Sequence, residues 1–283
     1  MKRERRNLFQ RSASLMLAVV MVLSVIVVMP KDVKAAADRV LPAGGGTIAI
    51  TDQECAAAIR DYNWISYTAA KDGYLKLTFS NNTKLPSVGY SDGSVTLYDA
   101  AKATPLSSTT SYNTEETRAF MISEYYGVKK GTTYKIRVNS YGGVIINAQF
   151  KAINKKLNNN LKKKKAVTLK KKKQTDGIIQ PGNLKSHFYK FKVPKSKKIK
   201  ISITPYLTSD CYLFVSGPNL KRSRKQISAR SVSNGYVYVN SWGSKNTYTI
   251  SSPITGKASA GTYYMEVKPI GRTCSGYYKI SWQ

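Results

Sequence analysis

The chain has 283 residues, and 46 lysines and arginines against 15 aspartates and glutamates give it a formal net charge of +31. Its single histidine excludes a metal or hydrolase site that needs several histidines. Hydrophobic residues make up 42% of the chain and aromatic residues 11%, which is enough to build a core and argues against full disorder.

The first 35 residues have the pattern of a signal peptide. Basic residues come first, an apolar run follows over 15–29, and small residues end the segment at Ala35. We expect cleavage after Ala35, with Ala37 as the second choice. An uncleaved membrane anchor is the other interpretation, and the apolar run is short for one. The segment therefore predicts a secreted protein whose mature chain contains no membrane span.

Charge is spread unevenly along the rest of the chain. Residues 36–153 carry 12 basic and 10 acidic side chains, a net of +2. Residues 154–174 carry 10 lysines and no acid, and residues 175–283 carry 17 basic and 3 acidic side chains. A net charge of +24 after residue 153 exceeds what solubility requires, so this end of the chain favours an anionic partner.

Apolar and polar residues alternate with a period of two through most of the chain. GYLKLTF (73–79), TYKIRV (133–138) and KIKISI (198–203) are typical examples, and turn signals such as Asp72-Gly73 separate them. Such runs are typical of half-buried strands in antiparallel sheets. Only residues 52–61 resemble a helix. The expected fold class is therefore all-β.

The sequence also repeats itself. Residues 63–79 align without a gap on residues 187–203, and GTTYKIRV (131–138) matches GTYYMEV (261–267). Two copies of one β-domain explain this pattern. We predict two tandem antiparallel β-sandwiches, at 36–150 and 166–283, joined by a Lys/Asn-rich linker at 151–165.

The second copy resembles the bacterial pre-peptidase C-terminal domain family. The first matching feature is a turn between two glycines at 177–182. An aromatic strand follows at 188–193, a hydrophobic strand at 198–203 and a middle strand at 211–215. A tyrosine-rich ending covers 260–267 and 275–282. Residues 46–150 resemble the family more weakly.

The resemblance implies a jelly-roll-like β-sandwich that is exported and is usually an accessory to a secreted hydrolase. Some members bind polysaccharide, collagen or calcium. This chain departs from the family pattern at the start of the aromatic strand, where Ser186-His187 and Asn63 replace acidic residues. It also contains no catalytic domain. We therefore expect no enzyme activity, no cofactor and no metal.

The basic residues are the strongest candidates for a binding site because they have almost no acidic neighbours. We assign polyanion binding to Lys162, Lys163, Lys164, Lys165, Lys170, Lys171, Lys172, Lys173, Lys221, Arg222, Arg224 and Lys225. Lysine also protects sheet edges from aggregation, so a solvated basic surface is the plainer interpretation.

Two further features concern aromatic residues and cysteines. Tyr236, Tyr238 and Tyr264 occupy the outward positions of alternating strands and form a candidate platform for a glycan, although core and cross-strand packing explains most tyrosines. Cys211 and Cys274 are candidates for a disulfide, which leaves Cys55 free. Three reduced, buried thiols are the alternative.

These observations favour a secreted, non-catalytic binding module that associates with an anionic cell-envelope polymer or polysaccharide through its second domain. The module is either released or retained at the cell surface. The alternative is an accessory or structural surface protein that acts with a separate secreted enzyme. Because the protein is expected outside the cell, nucleic acid is not expected as its main partner.

Overall fold

The runs predicted as strands form antiparallel sheets in the computed structural model, and the chain is almost entirely β. The structure describes residues 38–57, 62–81, 90–115, 122–154, 159–218, 220–227, 232–233, 236–237, 246–250 and 257–283. The signal-peptide segment lies outside these residues and stays a prediction. Within them, no helix has the length and apolar character needed to cross a membrane.

The first half of the chain forms two sheets. Its strands are β1 (Arg39–Leu41), β2 (Gly45–Ile50), β3 (Asn63–Thr68), β4 (Gly73–Asn81), β5 (Tyr90–Tyr98), β6 (Thr110–Glu115), β7 (Ile122–Val128), β8 (Thr133–Ser140) and β9 (Val144–Ala152). Sheet I has the order β1-β3-β8-β5-β6, and sheet II has the order β2-β9-β4-β7.

The second half repeats this arrangement. Its strands are β10 (Val167–Thr168), β11 (Thr175–Ile179), β12 (His187–Val193), β13 (Ile199–Leu207), β14 (Cys211–Gly217), β15 (Leu220–Ile227), β16 (Val232–Ser233), β17 (Tyr236–Val237), β18 (Asn246–Ile250), β19 (Gly261–Pro269) and β20 (Gly276–Trp282). Sheet III has the order β10-β12-β19-β14-β15, and sheet IV has the order β11-β20-β13-β18. Strands β16 and β17 pair separately.

The strand orders of the two halves correspond position by position. β1 runs parallel to β3, and β10 runs parallel to β12, at the same edge of sheets I and III. The strands that carry the sequence repeat, β3 and β4, occupy the places of β12 and β13. The repeat seen in the residues is therefore also a repeat of topology.

Two separate hydrophobic cores lie inside these sheet pairs. Sheets I and II supply the first core, where Tyr67, Leu75 and Ile136 are buried. Sheets III and IV supply the second core, which includes Phe191 and Ile201. The alternation explains both cores, because every second residue of a strand points to the same side of its sheet.

A single short helix follows β2. It spans Asp52–Ala57 and is named α1. The Glu54 carboxylate accepts a hydrogen bond from the Thr51 backbone N–H at 2.8 Å, and the Glu54 N–H donates to Thr51 Oγ1 at 3.3 Å. This reciprocal pair is a capping box, which explains where the helix begins. The predicted helix extended to residue 61, but residues 58–61 lie outside the described part of the chain.

The segment predicted as a linker contains ordered contacts. β9 extends into it as far as Ala152, and a 3₁₀ helix, η1, spans Lys163–Lys165. Asn160 is buried, and its side-chain amide donates to the carbonyl of Phe188 at 3.0 Å. Ala36–Gln283 form one compact unit. The predicted boundaries between two domains and a linker therefore stay a prediction.

The predicted disulfide is not formed in the structure, where Cys55, Cys211 and Cys274 are all free, buried thiols. Cys274 Sγ donates to the carbonyl of Ser209 at 3.3 Å, and Cys211 packs in the second core. Desolvation raises the pKa of Cys274 to about 12 and the pKa of Cys211 well above its ordinary value. The structure thus has three reduced, buried thiols, the alternative interpretation, and the Cys211–Cys274 disulfide stays a prediction for the exported protein.

The outer faces of sheets II and IV meet at a cluster of tyrosines. The ring of Tyr277 lies between those of Tyr74 and Tyr206, with centroids 4.1 and 4.5 Å away and planes within 7° and 1° of parallel. Tyr125 meets Tyr277 edge-on at 5.3 Å. Tyr277 points away from the second core, yet only 7% of it is exposed. We call this contact the tyrosine junction.

Candidate functional site

The outer face of sheet III combines aromatic and cationic side chains. Pairing across β12, β19, β14 and β15 aligns Phe188, Glu266, Phe214 and Arg224 in one row. Directly paired residues point to the same side of a sheet. Residues between these positions along the strands, such as Met265, are buried in the core, so the row faces outward.

The neighbouring rows have the same character. Tyr264 pairs with Lys190 on β12, and Tyr212 pairs with Lys268 on β19. We define the basic aromatic face by the residues that share this side of sheet III. They are Phe188, Lys190, Lys192, Tyr212, Phe214, Arg222, Arg224, Tyr264, Glu266 and Lys268, together with Lys163 from η1.

Cations lie over three of the aromatic rings. The guanidinium carbon of Arg222 is 3.7 Å from the ring centroid of Phe214, and that of Arg224 is 5.0 Å from the centroid of Tyr212. The ammonium of Lys163 lies 4.5 Å from the centroid of Tyr264. Such contacts are favourable and hold flexible cationic side chains in defined positions before a ligand arrives.

Glu266 is the carboxylate at the centre of this face, and both of its oxygens already accept hydrogen bonds. One oxygen accepts a hydrogen bond from Arg222 at 2.7 Å, and the other accepts one from Ser186 at 2.7 Å. In the described part of the chain no carboxylate forms an ion pair with Arg224 or Lys163. The face therefore retains a large excess of positive charge.

The two lysine runs lie on either side of β10. Lys162 precedes η1, and Lys163–Lys165 form it, with all four side chains exposed. Lys170–Lys173 form an exposed turn before β11, in which the Lys172 N–H donates to the carbonyl of Trp282 at 2.8 Å. The first run thus contacts sheet III through Lys163, the second is hydrogen-bonded to β20 of sheet IV, and neither is part of a free tail.

Lys197, which was not predicted as a site residue, joins the second run. Its ammonium lies 5.2 Å from the Trp282 ring centroid. Desolvation and the nearby ammonium groups of Lys171 and Lys172 lower the pKa of Lys197. Like charges gathered in this way repel one another, and a bound anion would relieve the repulsion.

The structure separates the remaining predicted residues. Lys225 pairs with the core residue Leu213 and therefore points to the opposite side of edge strand β15 from Arg224. The side chains of Lys221 and Tyr236, and all of Tyr238, lie outside the described residues. The predicted platform is thus represented by Tyr264 alone.

Sequence reasoning missed the other rings of this face. Phe188 belongs to the strand FYKFKV, while Tyr212 and Phe214 belong to CYLFV. Each occupies an outward position next to a buried one, so the alternation already contained the signal. What it lacked was the pairing that brings Phe214 and Arg224 side by side.

Other chemistry finds little support. In the described part of the chain, no three His, Cys, Asp or Glu side chains come together as metal ligands would. His187 is 1% exposed and lies edge-on to Tyr278, with ring centroids 6.5 Å apart. The expected absence of a cofactor stays a prediction, and calcium binding at the turns of the first half stays an open alternative.

No family model matches the chain, and no curated protein matches it. Among solved structures, the pre-peptidase C-terminal domain of a collagenase from Bacillus anthracis is 16% identical, over 42% of this chain and 94% of that one, with a TM-score of 0.28. The periplasmic g-type lysozyme inhibitor PliG of Salmonella Typhimurium is 16% identical, over 42% of this chain and 98% of that one, with a TM-score of 0.24.

A third solved structure is the tandem CBM22 domain pair of Xyn10C from Paenibacillus barcinonensis. It is 9% identical, over 78% of this chain and 82% of that one, with a TM-score of 0.24. At these identities and TM-scores the similarities do not assign the chain to a family. The pre-peptidase resemblance therefore stays a prediction.

Proposed function

We propose that the protein is an exported, non-catalytic binding module that attaches to an anionic extracellular polymer through the basic aromatic face and the lysine runs beside it. The observation that carries this proposal is the arrangement of Arg222, Arg224 and Lys163 over three aromatic rings, around a carboxylate that is already paired. A surface that served solubility alone would not need its cations ordered on rings.

The physical basis is an excess of charge that the chain itself does not neutralise. Residues 154–283 carry 27 basic side chains against 3 acidic ones, a net of +24, and one of the three acids, Glu266, is already paired with Arg222. A polyanion lying across the face would relieve the repulsion among Lys190, Lys192 and Lys268, and would do so at many points at once. Each contact is weak, but together they give strong, salt-sensitive attachment.

The lysine turn is a second part of the proposed attachment site. Lys171, Lys172 and Lys197 converge beside Trp282, where the lowered pKa of Lys197 reports the cost of keeping several ammonium groups together. An anionic group of the polymer bound there would offset that cost. The proposal therefore includes both lysine runs, together with Arg222 and Arg224.

Export and retention belong to the same proposal. The signal-peptide pattern of residues 1–35 would deliver the chain outside the cell, where anionic envelope polymers and acidic polysaccharides are present. Non-covalent attachment through the second half would then hold it at the surface.

The test compares two variants with equal loss of charge. In the first, Arg222, Arg224, Lys163 and Lys190 are replaced by Gln. In the control, Gln replaces four exposed basic residues of the first half, namely Lys71, Lys129, Lys130 and Lys151. Retention is measured on immobilised polygalacturonate, polyphosphate and neutral dextran at low salt and at about 1 M salt, where the Debye length is about 3 Å.

We expect the wild type and the control to bind both polyanions at low salt and to elute from polyphosphate at high salt. The site variant should bind at least about tenfold more weakly, because it loses four positive charges from the face. Equal binding by the two variants would contradict the assignment of the face. Retention on dextran that does not change with salt would instead favour a neutral glycan platform and refute the charge mechanism.

A further inference from the structure

The first half carries a second aromatic cluster, which surrounds one arginine on the outer face of sheet I. The guanidinium carbon of Arg137 lies 4.6 Å from the ring centroid of Tyr62 and 4.9 Å from that of Tyr98. Trp64 meets Tyr98 edge-on, with centroids 5.3 Å apart. The ammonium of Lys102 lies 5.0 Å from the Trp64 centroid.

Strand pairing places this cluster at the position that corresponds to the basic aromatic face. Arg137 on β8 pairs with Trp64 on β3 and with Thr96 on β5. In the second half, Glu266 has the equivalent pairing, with Phe188 and Phe214. The repeat thus presents the same outer face twice, but a cation stands in the first half where a carboxylate stands in the second.

Within the described residues, no hydrogen bond occupies the guanidinium of Arg137. Asp38, an acid near this face, is bound by Lys102 and Lys135, each at 2.6 Å. In the described part of the chain no carboxylate forms an ion pair with Arg137. A guanidinium stacked on rings still directs its N–H groups outward in its own plane.

Tyr62 gives the cluster an exposed wall. The residue is 41% exposed, so a ligand can reach its ring. Its backbone has φ of +57°, a left-handed conformation that is uncommon for an aromatic residue. Such a conformation persists where the surroundings maintain it, and here it holds the ring over Arg137.

We propose that Tyr62, Trp64, Tyr98 and Arg137 form a binding site for a saccharide that carries a carboxylate. The planar fork of Arg137 would bind the carboxylate through two parallel hydrogen bonds, while the apolar face of the sugar ring would pack on Tyr62 or Trp64. The site goes beyond the proposed function, because it lies in the near-neutral half of the chain and depends on one oriented group instead of many diffuse charges.

The test uses the whole protein, in a variant whose basic aromatic face has lost four positive charges. Arg222, Arg224, Lys163 and Lys190 are replaced by Gln in every sample, and binding is followed by calorimetry and by the Nε–Hε NMR signals of the arginines. The probes are tetragalacturonate, the neutral galactose tetramer and inorganic phosphate. Measurements at about 1 M salt suppress diffuse attraction, since the Debye length there is about 3 Å.

We expect tetragalacturonate to bind and to shift the Arg137 signal, with the neutral tetramer at least about tenfold weaker, since hydrogen bonds to charged groups contribute about 1.5–3 kcal/mol. Arg137→Lys keeps the charge but loses the fork, and should weaken binding about tenfold. Tyr62→Ala should also weaken binding, and thermal unfolding confirms that each variant is folded. Lys129→Gln is the matched surface control and should change nothing.

Three outcomes would overturn the assignment. They are equal binding of the charged and neutral tetramers, unchanged binding in folded Arg137→Lys, and a phosphate affinity equal to that of tetragalacturonate. Each is independent of the proposed function, which concerns the second half and whose binding to polyphosphate is lost at high salt. If the wild type were not retained on polyphosphate at low salt while tetragalacturonate still bound here, the proposed function would be refuted and this proposal would stand.

Discussion

The backbone N–H of Gly127 in the first half donates a hydrogen bond to Oγ of Ser275 in the second half, at 2.9 Å. The two residues are 148 positions apart and both are buried. A methyl group built on Gly127 would lie 2.0 Å from the carbonyl oxygen of Ile179. Glycine is therefore required here by close contact between the backbones of the two halves.

Removing this contact should destabilise the whole unit. Ser275→Ala leaves the buried Gly127 N–H without its acceptor, which costs about 1–3 kcal/mol. Gly127→Ala forces the two backbones apart and should lower the free energy of unfolding by more than Ser275→Ala does. The two halves should then separate and unfold in two transitions instead of one. Denaturant unfolding followed by fluorescence measures both. Ser108→Ala, which loses only a 3.4 Å contact to Thr273, is the control and should change stability little.

The tyrosine junction should contribute comparable stability. Tyr277→Ala removes the central ring between Tyr74 and Tyr206 and should cost roughly 3 kcal/mol, as large-to-small changes at buried aromatic sites do. Tyr277→Phe keeps the stack and should cost less than about 1 kcal/mol. Denaturant midpoints measure both free energies of unfolding. Equal losses in the two variants would show that the hydroxyl and not the stacking is important.

A buried tyrosine pair should limit stability at alkaline pH. The hydroxyls of Tyr189 and Tyr278 lie 2.7 Å apart, and desolvation raises the pKa of Tyr189 to about 12 and that of Tyr278 well above its ordinary value. The unfolded chain loses these protons near pH 10, about the ordinary tyrosine value. The folded state is therefore favoured below that pH and loses this advantage as the pH rises toward about 12.

The double variant Tyr189→Phe/Tyr278→Phe removes both hydroxyls together, so neither is left without a partner. We expect the midpoint of alkaline unfolding, measured by near-UV circular dichroism, to move to higher pH. Tyr141→Phe, at a residue that is 72% exposed, should leave the midpoint unchanged. A double variant that unfolds at the wild-type pH would contradict this account.

Removing the one acid of the basic aromatic face should strengthen attachment to a polyanion. Glu266→Gln keeps the shape and a hydrogen-bonding oxygen for Ser186 but releases Arg222 from its ion pair. Binding to polygalacturonate at low salt should tighten about fivefold, which corresponds to about 1 kcal/mol for an exposed pair. Asp176→Asn changes the net charge equally on sheet IV and should have a smaller effect. Weaker binding by Glu266→Gln would mean that the carboxylate itself positions the ligand.

Much of the fold could be predicted from local pattern. The alternation at Tyr263, Met265 and Val267 identified strand β19 and its inward face, because side chains alternate across any strand. The repeat between residues 63–79 and 187–203 became the matching positions of β3 and β12. The sequence was less informative about cysteines, because two thiols in one core and a disulfide have the same spacing along the chain.

Of the candidate site, only the positive charge could be predicted from the sequence. The lysine runs and the Arg222 and Arg224 cluster are visible as composition; Lys163, Arg222 and Arg224 lie over rings of sheet III, whereas the second run is hydrogen-bonded to sheet IV. Their contact with Phe214 and Tyr212 depends on which strands pair, and pairing between β14, β15 and β19 is a long-range choice. For the same reason the cluster around Arg137 was not recognised, since Tyr62, Tyr98 and Arg137 come from separate segments.

The sequence by itself determined which residues form strands, which side of each strand is apolar and where the positive charge accumulates, because these are properties of neighbouring residues. The tertiary structure decided what happens to the outward side chains. Ile178 and Tyr277 point away from the second core, yet they are buried because the first half covers them. Arg222 and Tyr264 occupy equally outward positions and remain accessible. Only the packing of distant segments distinguishes a buried junction from an accessible face.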